Sequence, residues 1–133
     1  MVCSEVCNKT VKKTNRVYFL FYYDEPDYRY EIAPADIVVR EQVENIQWGD
    51  TDIQFVLTPG HSKGGMCFSI ENMLFTGDTI MPYKPFFNGR DSNPDDWTAS
   101  IAKIESLFSD DIVIYPGHGN VLTLGEWRMN EEF

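Results

Sequence analysis

The chain alternates short apolar runs with sharp polar breaks. "RVYFLFYY" (16–23) is aromatic and β-branched and predicts a strand. "DEPDYRYEI" (24–32) predicts a turn and a second extended segment. "ADIVV" (35–39) is apolar and leads into a polar stretch. "TDIQFVLTPGH" (51–61) predicts a strand that stops at Pro-Gly-His. "GMCFSIENMLFTGDT" (65–79) predicts a hairpin turning at Glu71-Asn72, its second strand ending at Gly77-Asp78. "DIVIYPGHG" (111–119) predicts a buried strand that again ends in Pro-Gly-His.

Three segments carry helical signals. Ser4 to Thr14 reads as a short helix with a weak apolar pattern, and Cys3 and Cys7 have the i,i+4 spacing at which two side chains face each other on a helix. Asn93 to Phe108 is the clearest. Asn93 suits the N-cap, Pro94 the first helical position, and Asp95 and Asp96 the positive end of the helix dipole. Trp97, Ile101, Ile104 and Phe108 line one face. Thr123 and Glu126 have capping-box spacing, which predicts a last helix from about Leu124.

A length of 133 residues with 43% hydrophobic content implies one globular domain. No apolar run is long enough to span a membrane. The polar N-terminus lacks the apolar centre of a signal peptide, and three cysteines fit reduced thiols, so a cytoplasmic location is expected. Cys3 and Cys7 are assigned to helix surface and core rather than to metal binding, because no second Cys/His pair has zinc-finger spacing. A formal charge of −10 argues against nucleic acid and anionic membranes as partners.

The chain has only two histidines, and both directly follow Pro-Gly, at His61 and His118. Chance gives that coincidence roughly once in 10⁵, which favours a shared role. Pro restricts φ and Gly accepts angles closed to other residues, so each motif ends a strand sharply and presents an imidazole. Asp78 ends a third strand in the same manner. If the strands share a sheet, His61, Asp78 and His118 converge at one edge. Imidazole and carboxylate are usual zinc ligands. Among nearby cations, Lys63 and Lys84 suit an anionic substrate, and Arg90 is assigned to an ion pair with Asp91 or another acid.

These motifs carry a family resemblance. "TPGHSKGG", "MLFTGDT", "NGRDSNPDDWTASI" and "YPGHGNVLTLGEWRMNEEF" resemble the C-terminal half of the metallo-β-lactamase superfamily, within it the glyoxalase II-like thioester hydrolases. The resemblance implies an α/β fold, a metallo-β-lactamase-like αββα sandwich truncated to its C-terminal half, with a mixed sheet and flanking helices. Residues 1–133 then form one partial domain. It also implies that His61, Asp78 and His118 are metal ligands, with Asp78 bridging two zinc ions. The family's His-x-His-x-Asp-His motif does not occur. The expected zinc site is therefore incomplete and weak, and no further catalytic residue is assigned. The implied function is a zinc-dependent thioester or ester hydrolase that is inactive alone or needs a second chain, either as a homodimer or with a complementing partner. The alternatives are a non-catalytic dimeric assembly module and a truncated remnant.

Overall fold

The computed structural model describes residues 1–10, 33–89 and 91–130. The strands expected at 16–23 and 24–32, the helix beyond Thr10 and the ion pair of Arg90 lie outside the described residues. The described elements are β1 (Val2–Ser4), α1 (Glu5–Thr10), β2 (Ile37–Val39), β3 (Val43–Trp48), β4 (Thr51–Leu57), β5 (Met66–Ile70), β6 (Met73–Gly77), α2 (Pro94–Leu107), β7 (Val113–Pro116), β8 (Leu122–Thr123) and α3 (Leu124–Arg128).

Strands β3 to β8 form one mixed sheet in sequence order, and β1 and β2 pair separately as a parallel two-stranded unit. β3 through β6 are a meander of antiparallel hairpins. The β5–β6 turn falls at Glu71-Asn72, where Glu71 takes a left-handed φ of 52°. β6 then pairs in parallel with β7, and α2 lies in the connection. β4, β6 and β7 therefore all point the same way, and their C-terminal ends share one sheet edge.

Period-two alternation divides the sheet into two faces. On one, Cys67, Leu74 and Ile114 pack with Ile80, Ile101, Ile104, Ile112, Leu124 and Trp127 into the buried core. On the other, cross-strand partners stack as a ladder: Phe55 on Phe68, Phe68 on Phe75, and Phe75 on Tyr115, with centroids 5.8, 4.7 and 5.2 Å apart.

The helix ends follow local rules. The Asn93 side chain accepts from the amides of Asp95 and Asp96, and Thr123 and Glu126 form a reciprocal capping box. Two assignments change. Cys3 sits on β1 rather than on the helix, because Ser4 accepts the Cys7 amide and starts α1 only at Glu5. The stretch after Val39 also contains a strand, β3. Its residues are half-buried or exposed on both faces, as suits an edge strand, so the sequence shows no clean alternation.

Candidate metal centre

The first Pro-Gly-His leaves the end of β4 and is fixed by α2. Ser100 donates its hydroxyl to the Pro59 carbonyl at 2.7 Å, and the Asn93 amide donates to the Gly60 carbonyl at 2.7 Å. Gly60 has φ +147°, and a Cβ there would lie 2.4 Å from the Trp97 Cα. No larger residue allows β4 to turn this close to the helix. Gly65 closes the loop from the other side, donating to Ser62 and accepting from Thr58.

Asp78 follows the end of β6 in a turn held on several sides. Gly77 takes φ +51°. The Thr79 amide donates to the Thr76 carbonyl, and the Thr76 hydroxyl donates to Ile80 at 2.8 Å. The Trp97 indole donates to the Thr79 carbonyl at 2.7 Å, and the Trp127 indole to the Met81 carbonyl at 3.0 Å. The buried hydroxyls of Thr58 and Thr79, 3.1 Å apart, join this turn to the end of β4.

The second Pro-Gly-His leaves β7 beside the same turn. The Gly117 amide donates to the Gly77 carbonyl at 2.8 Å, and a Cβ on Gly117 would stand 2.4 Å from Asp78 Oδ1. Glycine here admits the carboxylate. Gly119, at φ +90°, packs against Pro82 and Tyr83.

These turns bring His61, Asp78 and His118 together. His61 Nε2 lies 3.5 Å from Asp78 Oδ2, and His118 Nε2 lies 3.7 Å from Asp78 Oδ1. Each imidazole thus faces a different oxygen of one carboxylate. Both distances exceed the usual hydrogen-bond range. They lie near the separation of about 3.3–3.4 Å between two donors on one tetrahedral ion with bonds of about 2.0–2.1 Å. His61 Nδ1 is buried and has no hydrogen-bond partner among the described residues. The donor set is nitrogen and oxygen, which suits zinc. It forms two pairs sharing Asp78. Among the described residues no group of three His, Cys, Asp or Glu side chains stands together as a set for one metal ion.

Of the flanking cations, Lys63 pairs with Asp91 at 3.4 Å and Lys84 is exposed. Sequence reasoning missed the loop that follows Asp78. Its backbone is pinned by the two indoles, Pro85 is buried, and Phe87 packs edge-on against Trp97. Tyr83 and Phe86 remain 41% and 69% exposed, and the Tyr83 ring stands beside Gly119 in the His118 loop. "YKPFF" was the available signal, an aromatic cluster in an otherwise polar loop.

A model of the metallo-beta-lactamase superfamily matches residues 6–118. The chain is 35% identical over 100 residues to the probable polyketide biosynthesis zinc-dependent hydrolase PksB of Bacillus subtilis (strain 168), covering 71% of this chain and 42% of that protein. It is 34% identical over 110 residues to the atrochrysone carboxyl ACP thioesterase of Aspergillus fumigatus (strain ATCC MYA-4609 / CBS 101355 / FGSC A1100 / Af293), covering 79% of this chain and 32% of that one. The chain thus spans less than half the length of these relatives. The crystal structure of BLEG-1 B3 metallo-beta-lactamase superposes with a TM-score of 0.79 at 20% identity, over 98% of this chain and 62% of that chain, a likeness of fold.

Proposed function

The chain belongs to the metallo-β-lactamase superfamily, and on that footing we propose that it carries part of the metal centre of a zinc-dependent hydrolase acting on thioesters or related esters. The observation behind this reading is the shared carboxylate, with His61 and His118 each facing its own oxygen of Asp78. His61 with Asp78 would hold one zinc ion, and His118 with Asp78 a second. Bound zinc supplies an acidified water and polarises a carbonyl. The remaining tasks belong to the chain. The turn at Gly77–Ile80 holds Asp78 between the rings, and the glycines before each histidine set the rings' approach. Tyr83 and Phe86 offer an apolar wall to an acyl group, consistent with relatives named as a zinc-dependent hydrolase and a thioesterase.

A catalytic zinc takes three protein ligands and keeps one position open, whereas each pair here supplies two. The sequence contains no third histidine. The donors that complete each pair lie beyond His61, Asp78 and His118, and these three alone should hold zinc weakly. Zinc titrated into the metal-free chain should shift the resonances of both imidazoles together, and dialysis should strip the metal. Asp78→Ala should abolish both responses at once. Thiol release from an acetyl thioester by the chain alone should stay at background. Retention of one or two zinc equivalents through dialysis, or a response confined to one ring, would overturn the assignment.

A further inference from the structure

The ends of β4 and β6 are joined by a line of buried polar side chains. Thr58 stands three residues before His61, and Thr79 directly follows Asp78. Thr58, Cys67, Thr76 and Thr79 are all buried, at 4% exposure or less. Thr79 Oγ1 lies 3.1 Å from Thr58 Oγ1, which lies 3.3 Å from Cys67 Sγ. The Cys67 thiol in turn donates to the Thr76 carbonyl at 3.7 Å.

Each hydroxyl and the thiol carries one proton, which gives the line a direction. Burial pushes the Cys67 thiol up to about 11, so it keeps its proton at neutral pH. That proton goes to the Thr76 carbonyl, so Thr58 donates to the sulfur and Thr79 donates to Thr58. The line therefore starts beside Asp78, passes the end of the His61 strand and returns through β5 to β6. Every proton in it has an acceptor within the protein, as a buried polar group requires. The His118 loop is fixed by another route, the Gly117 amide on the Gly77 carbonyl at 2.8 Å.

We propose that Thr58 and Thr79 are positioning residues for the His61 half of the metal centre: their hydroxyl contact sets the approach of His61 to Asp78 and acts on that ring rather than on His118. The inference rests on the proposed metal centre and gives a task to side chains outside its donor set. Groups that orient metal ligands from behind typically change affinity by about 10–100-fold when they are removed.

The test compares Thr58→Val and Thr79→Val, which remove a hydroxyl, with Thr58→Ser and Thr79→Ser, which keep it. Imidazole resonances are read in the metal-free chain and during titration with zinc chloride. Each Val variant should move the His61 ring resonances before zinc is added and weaken the His61 response to zinc by about tenfold or more. The metal-free His118 resonances should stay in place, and both Ser variants should match the unsubstituted chain. The double Val variant should weaken the His61 response no further than Thr58→Val alone, because the contact is already lost. Thr58→Val also strands the Thr79 proton, so its urea midpoint should fall below that of Thr79→Val. Thr79→Val leaves the remaining protons of the line with acceptors, and it carries the test where Thr58→Val does not fold. Unmoved His61 resonances in the Val variants, equal shifts at both histidines, or Ser variants as perturbed as the Val ones would overturn the inference. An unsubstituted chain whose rings ignore zinc would overturn the metal centre instead, and the metal-free His61 shift would still decide the positioning role.

Discussion

Two glycines, one at the centre and one far from it, test different physics. Gly117 has no side chain because Asp78 Oδ1 occupies the place where one would stand. Gly49, in the β3–β4 turn, has φ +61° and open space around it. Gly117→Ala should therefore fold with a near-normal urea midpoint yet lose the joint response of His61 and His118 to zinc, because its methyl displaces the carboxylate. Gly49→Ala should keep that response and lose about 1 kcal/mol of stability through backbone strain. Imidazole shifts and urea unfolding separate the two cases, and an unaltered zinc response in Gly117→Ala would contradict the contact. At this scale the two Pro-Gly-His motifs were legible in the sequence, and so was Asp78 at a strand end. The reason for each glycine was not, since Gly60 answers to Trp97 and Gly117 to Asp78, contacts that exist only after folding. The buried, unpartnered Nδ1 of His61 was equally hidden. It bears on metal binding. A neutral ring that gives its Nε2 to a metal must carry its proton on Nδ1, and a buried donor without an acceptor costs about 1–3 kcal/mol.

Helix α2 was the most legible element because its signals are local: a cap, a proline at the first turn, two acids and one apolar face. Its N-terminus does more than begin a helix. The Asn93 side chain accepts two helix amides while the Asn93 backbone amide donates to Gly60. Asn93→Ala should cost about 1 kcal/mol in urea unfolding. It should also broaden or shift the His61 ring resonance while leaving His118 in place. Equal effects on both histidines would show that the cap acts on the whole domain rather than on the first loop. β3 and β1 were not legible. β3 is an edge strand with mixed faces, and β1 is three residues long and leads into a helix whose pattern masked it.

The apolar runs of β4, β5, β6 and β7 were legible in the sequence as strands. They could not show how the second face would organise. The structure supplies the Phe55–Phe68–Phe75–Tyr115 ladder, with Phe55 buried, Phe68 and Phe75 half-buried and Tyr115 at 36% exposure. Burying a side chain of this size contributes about 1.5–3 kcal/mol, which favours covering the face. A homodimer joined across this ladder is the expected arrangement at micromolar concentration, and sedimentation velocity measures it directly. Tyr115→Glu should shift the population to monomer without unfolding the chain. A cooperative monomer in the unsubstituted protein would remove the dimer. The sheet order has a further consequence, in time rather than space. β3 through β6 are sequence neighbours joined by two tight turns and the His61 loop, and these contacts form early because they are local. That much structure already brings the His61 and Asp78 loops to one edge. β7 must cross the whole α2 connection before it can lie parallel to β6, and this closure carries the larger entropic cost. His118 therefore reaches Asp78 last, so a chain caught midway through folding would hold one histidine at the carboxylate and wait for the other.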